Sequence, residues 1–269
     1  IDEIFNITRS RHHGHADAVT KAMKRLGIAK LLAPKESRER QIVLALIASR
    51  ILNPRSKLAT ATCLENSTLP ELLDVGHVDE NEMYSAMDWL LLKQEQIENK
   101  LAKRHLREEG LALYDLTSSY FEGRTCPLAA RGYSRDRKKG KLQVNYGLLT
   151  DDRGCPVSVS VFKGHVGDPK TLMPQVRTCR ERFGLTHFVL VGDRGMVTQK
   201  QVDLLCEERV DWITAMRPDA IKKLIGDGSI QMDLFDEKNE SYKHYKNIPG
   251  NENSLSSNKI LYTFESSDG

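Results

Sequence analysis

Two aspartates, each placed directly after a short apolar run, constrain the fold of this chain most strongly. Asp115 follows residues 111–114, and Asp193 follows residues 187–192. Both runs are short and rich in aliphatic residues, which is typical of buried strands. A carboxylate at the C-terminal end of such a strand lies at the sheet edge where open α/β proteins place their chemistry. We therefore expect the two carboxylates to meet on neighbouring strands and to share a divalent cation.

The composition is that of a globular protein, with 39% hydrophobic and 29% charged residues among 269. The longest apolar run, residues 42–48, is far shorter than the roughly 20 residues that span a bilayer, so we expect no membrane association and a cytoplasmic setting. The five cysteines include no Cys-x-x-Cys pair, which favours reduced thiols over disulfides or a zinc site. The net charge of +3 does not by itself indicate a nucleic-acid partner.

The chain falls into a helical part and a part with strands. From about residue 16 to residue 107 apolar residues recur at helical spacing, with Ser37 as the N-cap of a helix that ends at Asn53-Pro54. A second long helix is expected over residues 81–106. From residue 111 the pattern changes to short strands and helices. The further expected elements are a hairpin of strands 142–149 and 155–162, a helix over 170–183, the strand before Asp193, a helix over 199–209 and a strand over 212–216.

This order of elements is that of a ribonuclease H-like core, and three segments carry a closer resemblance. They read Tyr-Asp-Leu-Thr-Ser-Ser-Tyr-Phe-Glu-Gly at 114–123, Gly-Tyr-Ser-Arg-Asp at 132–136 and Val-Gly-Asp-Arg-Gly-Met at 191–196. In this order and spacing they resemble the DDE transposases of bacterial insertion sequences. The resemblance covers the chain from about residue 45 to residue 237.

The resemblance implies an α/β fold: a ribonuclease H-like mixed sheet with flanking helices, preceded by an all-helical N-terminal domain. We expect residues 1–107 to form a helical domain for DNA-end binding or assembly. Residues 108–228 would be an incomplete ribonuclease H-like catalytic core, and residues 229–269 a polar insertion or divergent tail. The family also implies a bacterial-type, nucleoid-associated protein.

The implied activity is metal-dependent cleavage and strand transfer of DNA by an Asp-Asp-Glu triad. Asp115 matches the first acidic residue and Asp193 the second. The third belongs to a Tyr-x-x-Arg-x-x-x-Glu helix, a pattern that does not occur after Arg194. Glu207 and Glu208 are expected on the solvated face of their helix. We therefore expect a fragment or truncated copy that stops before the third acid.

Carboxylates suit Mg²⁺ (or Mn²⁺), and a two-metal site is expected in which Asp115 bridges both ions and Asp193 supports one. The alternative function is a catalytically inactive DNA-binding remnant that competes with, or pairs with, an intact transposase. Two other enzyme classes fit less well. A haloacid dehalogenase-type phosphatase would have Asp at position 117, which is Thr, and no Gly-x-x-x-x-Gly-Lys-Ser/Thr loop for a nucleotide exists.

The best candidate for DNA contact is the basic segment, residues 131–141, with six basic residues against one acid. The partner would be double-stranded DNA at the transposon ends, bound by a homodimer, with phosphates held by basic side chains and a base stacked on the tyrosine. The predicted DNA-binding residues are Arg131, Tyr133, Arg135, Arg137, Lys138, Lys139, Lys141 and Arg194. A solvated loop is the alternative for the segment, and orientation of Asp193 is the alternative for Arg194. The break at Asn53-Pro54 fits either a helix-turn-helix or a packed bundle.

Overall fold

A computed structural model describes residues 9–133, 138, 140–215 and the single positions 223 and 226. The chain divides into two compact units, residues 1–100 and residues 101–269. The domain boundaries expected after residues 107 and 228 remain predictions. Within the described residues, no helix combines the length and the apolar character needed to cross a membrane.

The first unit is helical throughout its described part, as expected. Its helices are α1 (Gly14–Leu26), α2 (Ile28–Leu32), α3 (Arg38–Leu52), α4 (Lys57–Glu65), α5 (Leu69–Leu72) and α6 (Glu80–His105), the last of which continues into the second unit. Ser37 caps α3 as predicted, because its hydroxyl oxygen accepts the N–H of Arg40 at 3.2 Å. The helix ends at Leu52, with the predicted Asn53 as its C-cap. The buried side chains of α3, with Ile42, Val43 and Ala45 among them, form the core with Met83 and Ala86 of α6.

The break after α3 is a short turn between two capped helices. Pro54 follows the C-cap of α3, and Ser56 caps the start of α4 by accepting the N–H of Ala59 at 3.2 Å. Val43 and Leu64 of these two helices belong to one core, so the pair packs within the bundle. A role of this pair in DNA recognition stays a prediction.

The second unit is built on a mixed sheet. Its strands are β1 (Gly110–Phe121), β2 (Ala130–Arg131), β3 (Leu142–Thr150), β4 (Pro156–Lys163), β5 (Phe188–Gly192) and β6 (Asp211–Ile213). Strand β1 is antiparallel to β3 and parallel to β5, and β5 is parallel to β6. The hairpin β3–β4 and the helices α7 (Pro169–Arg177) and α8 (Gln199–Glu207) lie where they were expected, with a π-helical turn over Thr178–Arg182 prolonging α7. The predicted ribonuclease H-like α/β fold with flanking helices is confirmed.

The two faces of the sheet differ in their covering. Ala112, Tyr114 and Leu116 of β1 point into a core that they share with Leu172 of α7 and Leu205 of α8. On the opposite face, which carries Asp115, the described residues leave the apolar side chains of Leu148, Val159 and Val161 between 41% and 47% exposed. The alternation along β1 therefore places Asp115 on the open face of the sheet.

One expected strand boundary is wrong. Asp115 does not end its strand but lies near the middle of β1, which continues to Phe121. The reason is that two partners of different length flank β1. The parallel partner β5 stops opposite Tyr114, whereas the antiparallel partner β3 pairs with β1 from Leu113 to Phe121. The backbone hydrogen bonds to β3 hold the polar residues after Asp115 in the strand. The sequence does not reveal this part of the strand, because it lacks an apolar pattern.

Candidate active site

Asp115 is presented by β1 at the point where parallel pairing ends. Its side chain is exposed on the open face, next but one to Leu113 and Thr117 on the same side of the strand. One carboxylate oxygen, Oδ1, accepts the backbone N–H of Leu116 at 2.8 Å. The strand thus fixes the Cα position of Asp115, and the side chain stays accessible from solvent.

Asp193 lies in a tight turn directly after β5. Its carbonyl oxygen accepts the N–H groups of Met196 at 2.9 Å and Val197 at 3.1 Å, and both of these side chains are buried. The carboxylate oxygen Oδ2 is 3.4 Å from the N–H of Gly195. Burial of Met196 and Val197 therefore anchors a turn that leaves the Asp193 carboxylate exposed.

The sheet register brings the two aspartates together. Tyr114 and Gly192 are the last paired residues of β1 and β5, so Asp115 and Asp193 follow at adjoining positions of neighbouring parallel strands, which lie about 4.8 Å apart. Both residues line one cleft of about 560 Å³. The cleft is also lined by Leu113, Thr117, Leu148, Thr150, Val191 and Gly192.

The donor set of this cleft suits a hard divalent cation. Two aspartates and the threonines Thr117 and Thr150 line it, and oxygen donors are the ligands that Mg²⁺ and Mn²⁺ prefer. Within the described part of the chain, no Lys, Arg or His forms an ion pair with Asp115 or Asp193. Thr150 was not expected from the sequence. Its contribution follows from the antiparallel pairing of Leu113 with Thr150.

The described glutamates do not supply a third carboxylate to the cleft. Helix α8 leads from the end of β5 back to the start of β6, so Glu207 and Glu208 lie toward the opposite edge of the sheet. Both are exposed, as predicted. Glu122 follows Asp115 by seven residues, which is roughly 20 Å along an extended strand. Four further glutamates lie outside the described residues, namely Glu237, Glu240, Glu252 and Glu265.

Arg194 does not orient Asp193 in the described structure. It is exposed, and among the described residues the hydrogen bond to the Asp193 carboxylate comes from the N–H of Gly195. A Cβ at position 195 would lie 3.3 Å from Oδ2, closer than most side-chain contacts. Glycine at position 195 therefore leaves room for the Asp193 carboxylate, and the Arg194 side chain is exposed to solvent.

The basic segment is described only in part. Arg131, Tyr133, Lys138 and Lys141 are exposed, while Arg135, Arg137 and Lys139 lie outside the described residues. The ammonium group of Lys138 is 3.5 Å from the centre of the Tyr120 ring, a cation–π contact at the far end of β1. The Lys141 ammonium is 3.9 Å from a carboxylate oxygen of Glu122.

Two buried amides anchor the start of this segment, and sequence reasoning missed both. The amide of Gln143 donates to the carbonyl oxygens of Tyr133 at 2.9 Å and Gly164 at 2.8 Å. The amide of Asn145 donates to the carbonyl oxygen of Val166 at 2.9 Å. The backbone at Gly132 passes close to that at Gly164, and only glycine fits there because a Cβ at position 132 would lie 2.0 Å from the carbonyl oxygen of Gly164. The sequence does contain a signal for these anchors, because Gln143 and Asn145 are amides within an otherwise apolar strand.

The chain matches the family described as Transposase DDE domain over residues 107–264. It is a member of that family. For this family, use of a divalent metal is implied. The matched residues include Asp115, Asp193 and the whole of the mixed sheet.

Solved transposase structures show only distant similarity to the chain. The piggyBac transposase synaptic complex with hairpin DNA shares 12% identity at a TM-score of 0.41, with 67% of this chain and 41% of that chain covered. The Mos1 transposase paired-end complex with left transposon end shares 8% identity at a TM-score of 0.28, with coverages of 78% and 61%. The transposase therefore spans about half the length of these two chains. A comparison with curated proteins gave no match.

Proposed function

We propose that this chain is part of a transposase that cleaves DNA at the ends of an insertion sequence and joins the released strand to a target. The observation that supports the proposal is the register of β1 and β5, because Asp115 and Asp193 directly follow its last residue pair and line one cleft. In this proposal Asp115 is the first acidic residue of the triad and Asp193 the second.

The proposed cofactor is Mg²⁺ or Mn²⁺ at two sites. When bound, two such cations stabilise both the attacking and the leaving oxygen of a phosphodiester. Asp115 and Asp193 both line the cleft, where Asp115 would hold both ions and Asp193 would hold one. Neither residue is engaged by a basic side chain in the described structure, so the carboxylates are available as ligands.

The proposed substrate is double-stranded DNA at the transposon ends, held by a homodimer. Arg131, Lys138 and Lys141 are exposed basic residues around the end of β1 and the start of β3, and Arg194 is exposed beside Asp193. Such groups bind phosphates without reading sequence. Arg135, Arg137 and Lys139 extend the same proposal in sequence, and Tyr133 offers a ring for a base.

The third acidic residue of the triad decides between an active transposase and an inactive DNA-binding remnant. We propose that the chain is a fragment that stops before this residue, since the described residues bring only two carboxylates to the cleft. The same observation favours the second candidate function, a DNA-binding remnant that competes with, or pairs with, an intact transposase. Misplacement of a reacting group by about 1 Å can cost 10²-fold in rate, so a site that lacks one ligand should be nearly inactive.

DNA cleavage in Mg²⁺ tests the fragment proposal. The 269-residue chain is expected to bind DNA but to cut and join it slowly or not at all. Asp115→Asn in the same assay is the matched control. Vigorous metal-dependent cleavage that disappears in Asp115→Asn would refute the fragment proposal, because a residue of this chain would then supply the third ligand.

A further inference from the structure

A second cluster of metal-ligand side chains lies outside the Asp115–Asp193 cleft. His105 ends helix α6, and Asp151 and Cys155 flank the turn of the β3–β4 hairpin. One ligand atom from each of the three residues lies within 4.8 Å of the other two. His105 Nδ1 and Asp151 Oδ2 are 3.4 Å apart. These residues are separated by 46 and 4 positions in sequence, so no spacing motif marks them.

The separation of the His105 and Asp151 ligand atoms fits a tetrahedral zinc site. Zinc bonds of about 2.0–2.1 Å to nitrogen, 2.0–2.2 Å to oxygen and 2.3 Å to sulfur put tetrahedral nitrogen and oxygen ligands about 3.4 Å apart. The same bond lengths put the sulfur about 3.6 Å from either of them. The His105–Asp151 pair already has this separation, and the Cys155 sulfur needs to move by about 1 Å at most.

The hairpin turn holds the Asp151 ligand in place. Oδ1 accepts the N–H of Cys155 at 2.7 Å and the N–H of Arg153 at 3.0 Å, so Oδ2 is the oxygen that faces His105. The carboxylate is only 2% exposed, and Oδ2 is oriented toward a neighbouring cation.

Arg153 is that cation in the present structure. Its Nη2 atom is 2.8 Å from Asp151 Oδ2 and 3.3 Å from His105 Nδ1. A guanidinium can only donate, so Nδ1 accepts from Arg153 in the imidazole tautomer that carries its proton on Nε2, which is also the tautomer that metal ligation through Nδ1 requires. The side chain of His105 is 16% exposed whereas that of Arg153 is 61% exposed, so Arg153 can leave while the ligands stay.

We propose that His105, Asp151 and Cys155 form a zinc-binding site in which the metal replaces the Arg153 guanidinium. Thiolate and imidazole ligands select Zn²⁺ over the hard ions expected at the oxygen-only cleft. The metal would join the end of α6 to the β3–β4 turn. The sequence indicated no zinc site because its cysteines form no pair, and the fold supplies the missing ligands from distant positions.

Cobalt titration of the full metal-free chain tests the site, because Co²⁺ reports a bound thiolate by charge-transfer absorption in the near ultraviolet. The wild-type chain is expected to show this band, and stoichiometric Zn²⁺ should remove it. Cys155→Ser should abolish the band, while Cys206→Ala, which removes an exposed thiol elsewhere, should keep it. Asp115→Asn should also keep it, which separates this site from the proposed catalytic one.

Arg153→Ala gives the more specific result. It removes a competitor for the same two atoms and is expected to tighten zinc binding by about tenfold or more, since charge-assisted hydrogen bonds no longer have to break. Weaker zinc binding in Arg153→Ala would overturn the proposal. So would a cobalt band that Cys155→Ser retains.

Alkylation of the unaltered chain avoids any folding defect of a variant. Bound zinc should slow iodoacetamide labelling of Cys155 and leave Cys206 labelling unchanged, as read by peptide mass spectrometry. Equal labelling of Cys155 with and without zinc would contradict the proposed site.

Discussion

Tyr114 lies against Gly147 so closely that a Cβ at position 147 would be 2.1 Å from the tyrosine hydroxyl oxygen. The ring is buried between β1 and α7, one residue before Asp115. Burial raises the pKa of Tyr114 to about 12, so the hydroxyl is neutral at physiological pH. This contact packs β1 tightly against β3 one residue before Asp115.

Gly147→Ala is therefore expected to destabilise the second unit by about 1–3 kcal/mol, the usual cost of overpacking a core. Chemical denaturation monitored by circular dichroism measures it. Gly167→Ala is the matched control because its nearest neighbour would be 4.0 Å away. Adding Tyr114→Phe should restore only part of the loss, since ring carbons would still lie 2.7 Å from the new Cβ. Unchanged stability in Gly147→Ala would show that the sheet adjusts freely at this point.

Much of the site could be predicted from the sequence, because its strongest signals are local. The two apolar runs before Asp115 and Asp193 predicted neighbouring strands, and Ser37 predicted the start of α3. The extension of β1 through Thr117 could not be predicted, since it depends on a ladder with a strand distant in sequence. The cluster of His105 with Cys155 escaped for the same reason.

Glu108 links the segments that precede β1 and β5, and it should make stability depend on pH. Its carboxylate accepts the N–H groups of Thr186 and His187, both at 2.9 Å, and these hydrogen bonds lower the pKa of Glu108. An acid with a lowered pKa stabilises the fold above its unfolded-state pKa, and this contribution is lost as the pH falls toward the folded-state value.

Glu108→Gln should therefore be less stable than the wild type at pH 7, and the gap should narrow in acid. Urea unfolding at neutral pH and near about pH 4 measures the gap. Glu207→Gln removes an exposed glutamate with no such hydrogen bonds and should show no comparable gap. A gap that is the same at both pH values would rule out the carboxylate as its source.

Binding of DNA to the basic segment should depend strongly on salt. If Arg131, Lys138 and Lys141 each neutralise one phosphate, replacing all three by alanine should make the log–log slope of affinity against salt shallower by about 3 units. Fluorescence anisotropy with labelled duplex DNA gives the slope. The control is the triple alanine variant of Lys170, Arg177 and Lys200, which removes the same charge from exposed positions of α7 and α8. Equal slopes in the two triple variants would show that the basic segment is a solvated loop without specific phosphate contacts.

Manganese binding tests the shared metal site of Asp115 and Asp193 most directly. Isothermal titration calorimetry gives the Mn²⁺ affinity of the wild-type chain, of Asp115→Asn and of Asp193→Asn. The comparison shows what each carboxylate contributes to binding. Zinc-loaded protein, or Cys155→Ser, keeps the other cluster out of the measurement. We expect both aspartate variants to bind Mn²⁺ at least about tenfold more weakly, because each loses a charged ligand of one site. Equal Mn²⁺ affinity in all three proteins would contradict the account.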